Sequence, residues 1–184
     1  SSPLLKDINN DNFPEIFFGD ENGFFHGVDY NGNSINGFPY EIQGDGSKKI
    51  WGSPSSADID NDGEIEFIFT SENKHCYVID ENGNIELDFE SDQFLMATSS
   101  LANLDNDDDL EIVFYGYSSS GDVYAINHDG TYVQNFPVQL NEKVLKGGSV
   151  YDLNGNGKDD IVVATENEKL ISIIYDDGTI DNIF

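Results

Sequence analysis

Asp58-Ile59-Asp60-Asn61-Asp62-Gly63-Glu64-Ile65-Glu66 places three carboxylates two residues apart, then a glycine, then a further acid at the ninth position. Such spacing gathers several oxygens around one point when the chain curls into a tight loop. Hard cations such as Ca²⁺ take six to eight oxygen ligands at about 2.3–2.6 Å from carboxylates, amide carbonyls and backbone carbonyls. Glycine at the sixth position suits the sharp bend, because it takes a positive φ without a Cβ clash.

The stretch recurs. Asp7-Ile8-Asn9-Asn10-Asp11-Asn12-Phe13-Pro14-Glu15 precedes it, and loops starting at Asn103 and Asp152 follow, with starts separated by 51, 45 and 49 residues. In every copy positions one, three, five and nine are Asp, Asn or Glu. The sixth position is Gly63, Gly157, Asn12 or Asp108. Asn and Asp are the non-glycine residues that best tolerate left-handed geometry, so one backbone requirement is kept throughout.

Each acidic loop leads into a β-forming run: Ile16-Phe17-Phe18, Phe67-Ile68-Phe69, Ile112-Val113-Phe114-Tyr115 and Ile161-Val162-Val163. A turn (Asp20–Gly23, Ser71–Asn73, Ser118–Gly121, Glu166–Glu168) and a second apolar run come next. That run ends at Asn31-Gly32, Asn82-Gly83, Asp129-Gly130 or Asp177-Gly178. These dipeptides mark two-residue hairpins in which both central residues take φ > 0. Seven residues past each turn stands Phe38, Phe89, Phe136 or Phe184, and Pro39 and Pro137 follow two of them. Proline lacks the ladder donor, so this last segment reads as an outer edge strand. Small-residue stretches (Ser2-Pro3, Gly52–Ala57, Ala97–Ala102, Gly147–Ser149) precede the loops and suit an inner strand where units crowd.

Four strands at a period of 45–51 residues is the pattern of a propeller blade. The fold class expected is therefore all-β: a β-propeller of four-stranded antiparallel blades, four in this chain. The chain forms one domain or propeller segment, with blades over about 1–49, 50–93, 94–143 and 144–184. One such sheet cannot bury both faces alone, whereas stacked blades bury each other.

The repeats resemble the FG-GAP (also called VCBS) repeats of integrin α-chain propellers and many secreted bacterial proteins. The resemblance rests on the D-x-[DN]-x-[DN]-G-x-x-[DE] loops, the β-run after each and the small-residue lead-in, and it covers essentially the whole chain. It implies loops that join the first and second strand of each blade and cradle Ca²⁺, up to four ions in all. The side-chain ligands it implies are Asp7, Asn9, Asp11 and Glu15; Asp58, Asp60, Asp62 and Glu66; Asn103, Asp105, Asp107 and Glu111; and Asp152, Asn154, Asn156 and Asp160. It implies backbone carbonyls from Phe13, Glu64, Asp109 and Lys158. The third copy departs from the family pattern at Asn103, and the fourth carries Asn at both inner positions. Ligand charge is one lever on affinity, so the second loop is expected to bind tightest and the fourth weakest.

An EF-hand would need a bidentate Glu at position twelve and flanking helices. That position is Phe18, Phe69, Phe114 and Val163, all within β-runs. Asp and Asn also make turns by bonding their own backbone, but four in-phase copies with an acid at position nine exceed that need.

Among 184 residues, 36 acids oppose 8 bases, a formal charge of −28. A nucleic-acid partner is not expected, because phosphate binding needs a basic footprint. Adhesion to anionic lipid is disfavoured for the same reason. No apolar stretch approaches the roughly 20 residues of a membrane helix, so no membrane insertion is expected. The start at Ser1 reads as a mature or excised segment. Cys76 is the lone cysteine and reads as a small buried apolar residue. His26, His75 and His128 fall at unequal places in the repeat, so no histidine cluster is expected. Trp51 reads as core or channel packing, with a ligand-stacking platform as the sharper alternative.

Together these readings point to a non-enzymatic, Ca²⁺-stabilised propeller at the cell surface or outside the cell, recognising a protein or glycan. The alternative is a non-catalytic or accessory propeller part of a secreted enzyme such as a polysaccharide lyase or lipase. The remaining blades of a larger ring, or a second copy of the chain, are further expected partners.

Overall fold

A computed structural model describes residues 1–105, 107–166 and 171–183. These residues form four four-stranded antiparallel sheets, and no helix is found among them. Sheet one comprises β1 (Leu4–Lys6), β2 (Glu15–Gly19), β3 (Phe24–Val28) and β4 (Tyr40–Glu41). Sheet two comprises β5 (Ser55–Ala57), β6 (Glu66–Thr70), β7 (His75–Ile79) and β8 (Ile85–Glu90). Sheet three comprises β9 (Ser100–Ala102), β10 (Glu111–Tyr115), β11 (Asp122–Ile126) and β12 (Val138–Gln139). Sheet four comprises β13 (Gly148–Tyr151), β14 (Asp160–Ala164), β15 (Ile171–Ile174) and β16 (Ile180–Asn182). In each sheet the spatial order follows the chain order, so every unit is an up-and-down meander.

The acidic loops connect first to second strands in all four sheets, and position twelve lies inside β2, β6, β10 and β14. Three local expectations need correction. The first inner strand is Leu4–Lys6 rather than the Ser2-Pro3 stretch. The hairpins are not two-residue turns with both central residues at positive φ. Only the glycines are left-handed, at φ 84°, 80°, 83° and 81° for Gly32, Gly83, Gly130 and Gly178. Gly32 N–H donates to Asp29 O and Asp29 N–H to Asn33 O, both at 2.9 Å, and the other three hairpins repeat this pair of bonds. The geometry is a tight turn followed by one left-handed residue, the common three-residue hairpin.

The third correction concerns the phenylalanines. Phe38 and Phe136 do not lie in edge strands. They precede cis-Pro39 and cis-Pro137, ahead of β4 and β12, and are buried in the core. Phe89 does lie in an edge strand, β8, and packs edge-on to Phe114 at 5.6 Å. Phe184 and the turn expected at 166–168 fall wholly or partly outside the described residues.

Three hydrophobic clusters hold the sheets together. One lies between sheets one and two, where Phe17 stacks on Phe67 at 4.0 Å and Phe25 on Phe69 at 4.4 Å. The second joins sheets two and three through residues such as Ile68, Val78, Ile112 and Phe114. The third joins sheets three and four through Val113, Ala125, Ile161 and Val163. Strands β6, β7, β10 and β11 are accordingly buried on nearly all positions, whereas β2, β3 and β15 alternate. Among the described residues no cluster joins sheet four back to sheet one. Among the described residues the four sheets stack in chain order, and the outer positions of sheets one and four join no cluster.

The inner strands crowd as their small residues foretell: a Cβ on Gly52 would lie 2.5 Å from Ala97 O. Their lead-in segments converge on a cavity of about 270 Å³ lined by residues of all four units, among them Ser2, Trp51, Thr98 and Lys146. Trp51 belongs to this channel rather than the core. It is 40% exposed, and its Nε1–H donates to Glu72 Oε2 at 3.3 Å. Cys76 is fully buried, and burial pushes its thiol pKa well above the ordinary value.

Candidate metal centres

The four acidic loops share one internal hydrogen-bond scheme. The ninth-position carboxylate is buried in every copy, in Glu15, Glu66, Glu111 and Asp160. It accepts the main-chain N–H of position two: Ile8 at 3.0 Å, Ile59 at 2.8 Å, Leu153 at 2.9 Å, and Leu104. The side-chain oxygen of position three accepts the N–H of position five, and that of position five accepts the N–H of position seven, at 2.8–3.2 Å in all copies. Position six donates to the first-position carboxylate in three loops, Asn12 to Asp7, Gly63 to Asp58 and Gly157 to Asp152. The chain thus winds around its own Asp and Asn oxygens, as side chains of this type favour.

Left-handed backbone falls at position six in three copies, Asn12, Gly63 and Gly157, and also at position four, Asn10, Asn61 and Gly155. The second requirement was not singled out in the sequence, although Asn or Gly fills position four in every copy. Asp108, at position six of the third loop, is not left-handed, and Asn103 offers no carboxylate to its N–H.

The loops differ in what faces the buried acid. In the second loop, oxygens of Asp58, Asp60 and Glu66 lie within 4.8 Å of one another, and in the third the same holds for Asp105, Asp107 and Glu111. In the first and fourth loops the third-position residue is Asn, and its amide donates to the buried acid: Asn9 to Glu15 at 2.9 Å and Asn154 to Asp160 at 3.3 Å. Asp7, Asp11 and Glu15 form no such three-acid group among the described residues, and the fourth loop has only two acids at its ligand positions.

The seventh-position residues stand at the loop exits. Phe13 is exposed and packs on Tyr30 with centroids 4.9 Å apart. Lys158 pairs with Asp176 at 3.4 Å. Asp109 pairs with His128 at 3.0 Å and accepts from Asn61 at 3.0 Å, which ties the second loop to the third. Glu64 donates its N–H to Asp62. The three histidines stay apart, each beside a different carboxylate: Asp20, Asp88 and Asp109.

Burial, then neighbouring acids, pushes the carboxyl pKa of Glu66 and of Glu111 up to about 7, despite one main-chain hydrogen bond to Glu66 and two to Glu111. Glu86 is also raised, by burial and then by Asp80, Asp60, Asp62 and Glu64. Sequence reasoning missed Glu86. It is the extra residue of a β-bulge, since Ile79 pairs with Ile85 and Val78 with Leu87, and bulges re-aim side chains. The readable signal was an acid where the first and third units carry Ile35 and Val133, shared only with Asp181 of the fourth.

No protein-family model matches the chain, and no curated protein matches it. Solved structures do. The Pseudomonas aeruginosa PilY1 C-terminal domain aligns over 87% of this chain and 38% of its own at 18% identity, TM-score 0.66. BamB from Moraxella catarrhalis aligns over 98% and 48% at 18% identity, TM-score 0.59. BBS1N, solved in complex with ARL6DN, aligns over 99% and 53% at 10% identity, TM-score 0.66. These likenesses support an all-β, propeller-like architecture. The chain spans between about two fifths and just over half of the length of these structures.

The donors of the second and third loops suit a hard cation. Ligands 2.3–2.6 Å from one ion lie within about 5 Å of each other, which the 4.8 Å groupings meet. The set is all oxygen, the choice of Ca²⁺, Mg²⁺ or Mn²⁺ rather than of softer metals. The Asp58 Oδ1 atom is buried and has no hydrogen-bond partner, a state that costs roughly 1–3 kcal/mol or more for a charged acceptor. A cation at this point would satisfy it and hold Glu66 ionised.

Proposed function

We propose that the chain is a calcium-stabilised, propeller-type module of the FG-GAP/VCBS kind that recognises a protein or glycan outside the cell or at its surface, without catalysis of its own. The observation that carries the metal reading is the second loop: three convergent carboxylates within 4.8 Å, one with an orphaned buried oxygen. The third loop supplies a second three-carboxylate group, drawn from positions three, five and nine rather than one, three and nine. The first and fourth loops follow more weakly, because the Asn9 and Asn154 amides engage the acid that a cation needs. Affinity falls from the second loop to the fourth. The recognition reading is supported by the repeated acidic loops carried on a stack of sheets, and by a charge of −28 that disfavours nucleic acid and anionic lipid.

Calorimetric titration of the chelator-treated chain with CaCl₂ tests the metal reading. Two tighter sites and a weaker set are expected, with the tightest lost in Asp58→Asn. No binding heat and no change in melting at millimolar calcium would refute it. Screening on a glycan array and in protein pull-downs, with calcium and with chelator, tests recognition. Calcium-dependent capture of one ligand class supports it, and blank screens in both conditions leave a spacer as the better description.

A further inference from the structure

Each sheet presents one set of positions forward along the stack and another backward. Counted from the first loop residue, the forward set includes position eleven: Phe17, Ile68, Val113 and Val162. The backward set includes position twelve: Phe18, Phe69, Phe114 and Val163. In the three internal interfaces a forward residue and the next sheet's backward residue share one core: Phe17 with Phe69, Ile68 with Phe114, and Val113 with Val163. All six are 0% exposed. The two left over stand at opposite ends of the stack, and neither reaches that burial: Phe18 on sheet one and Val162 on sheet four are only partly buried.

Their neighbours repeat the pattern. Beside Phe18 on the free face of sheet one lie Ile16, Val28 and Leu5, the last 61% exposed. Beside Val162 on the free face of sheet four lie Ala164, Ile171 and Ile173. One end of the stack is therefore the forward half of an interface already formed three times, and the other end is its backward half. Two faces of this kind complement each other, and neither complements itself.

We propose that a second copy of this chain occupies both faces, head to tail, so that sheet four of each copy packs on sheet one of the other and a ring of eight sheets closes about a two-fold axis. The contact is reciprocal, as two-fold symmetry requires. Within one copy, no cluster joins sheets four and one among the described residues. Propellers take about four to eight blades, and two copies of these four sheets make a ring of eight. The same stack lies within solved chains about twice as long, 48% of BamB and 53% of BBS1N. The inference needs no cation and stands apart from the calcium reading.

By equivalence with Phe17 and Phe67, whose rings stack at 4.0 Å, Val162 of one copy meets Ile16 of the other. The test is sedimentation of the 184-residue chain at tens of micromolar in physiological salt, which screens the −28 charge. The expected mass is twice the 20.4 kDa of one chain. Phe18→Glu and Val162→Glu should each give a folded monomer, with the fold checked by circular dichroism. The double variant Ile16→Cys/Val162→Cys should cross-link into covalent dimers on mild oxidation, whereas either single cysteine should not. A monomeric wild-type chain overturns the proposal. So does an intramolecular bridge in the double variant, which would mean a four-sheet ring. Cross-linking by Ile16→Cys alone would mean like faces in contact and overturns it as well.

Discussion

The third residue of each loop decides whether the buried ninth-position acid meets an amide or another carboxylate. Asn9 and Asn154 donate to that acid, whereas Asp60 and Asp105 stand beside it as acceptors. Asn9→Asp and Asn154→Asp should therefore raise calcium affinity in the first and fourth loops by about tenfold or more, since ligand charge count tunes such sites. Site-resolved calorimetry showing no gain would refute this assignment. The same acids set a pH dependence. Glu66 and Glu111 have carboxyl pKa values raised to about 7 in the folded chain, above the roughly 4.3 of an unfolded glutamate. The folded state thus holds protons that the unfolded state has shed. The stability this supplies is fully present below the unfolded value and is lost as pH rises through 7. In chelator, the melting temperature should fall by roughly 5 °C between pH 5.5 and pH 8. Glu66→Gln with Glu111→Gln should flatten that fall, which separates these two groups from general charge repulsion. Saturating calcium should reverse it, because the ion holds both groups ionised. A chelated melting temperature that climbs toward pH 8 would refute the prediction.

At the scale of strands and turns, the stack depends on aromatic contacts between sheets and on backbone meeting backbone. Phe69 stacks on Phe25 at 4.4 Å and on Tyr77 at 5.2 Å with no exposure. Phe69→Ala should cost about 3–5 kcal/mol, read as a lower urea midpoint; a cost below about 1 kcal/mol would mean the first two sheets are not held this way. Gly83 has φ 80°, and a Cβ there would lie 2.4 Å from Gly37 O, where the hairpin of sheet two touches the turn of sheet one. Much of this architecture is legible before any coordinates. Loop period, β-runs and glycine turns foretell four meanders, because each is a local signal repeated in phase. What escapes is what depends on the neighbouring sheet. Phe38 and Phe136 look like edge-strand residues by spacing, yet they turn into the inter-sheet core ahead of their prolines. Glu86 reaches the second loop's field only because a bulge inserts it into β8. Within the loops the donor types are readable, but the Asn amides that divide the four copies into two kinds show only in the folded geometry.

For the whole molecule the controlling quantity is charge. The formal charge is −28, and the second, third and fourth acidic loops are bonded each to the next. Asn61 bonds to Asp109, and Asp159 N–H donates to Asn103 O at 2.7 Å. Part of the repulsion is therefore gathered where the second, third and fourth loops meet. Carboxylates about 4 Å apart repel by roughly 1 kcal/mol per pair in water and more in a less polar loop. A cation in a loop removes that term locally, whereas added salt screens it over a Debye length that shrinks from about 30 Å at 0.01 M to about 3 Å at 1 M. The two remedies overlap, so they should not add. In chelator, raising NaCl over that range should increase the melting temperature strongly, and with saturating calcium the same increase should be several times smaller. A site held at about a hundred times its dissociation constant adds about 2.7 kcal/mol to stability, so calcium alone should raise the melting temperature by several degrees at low salt. Measurements at submicromolar chain concentration keep association between copies out of the reading. Parallel salt dependences with and without calcium would show that the loops do not carry the charge that governs stability.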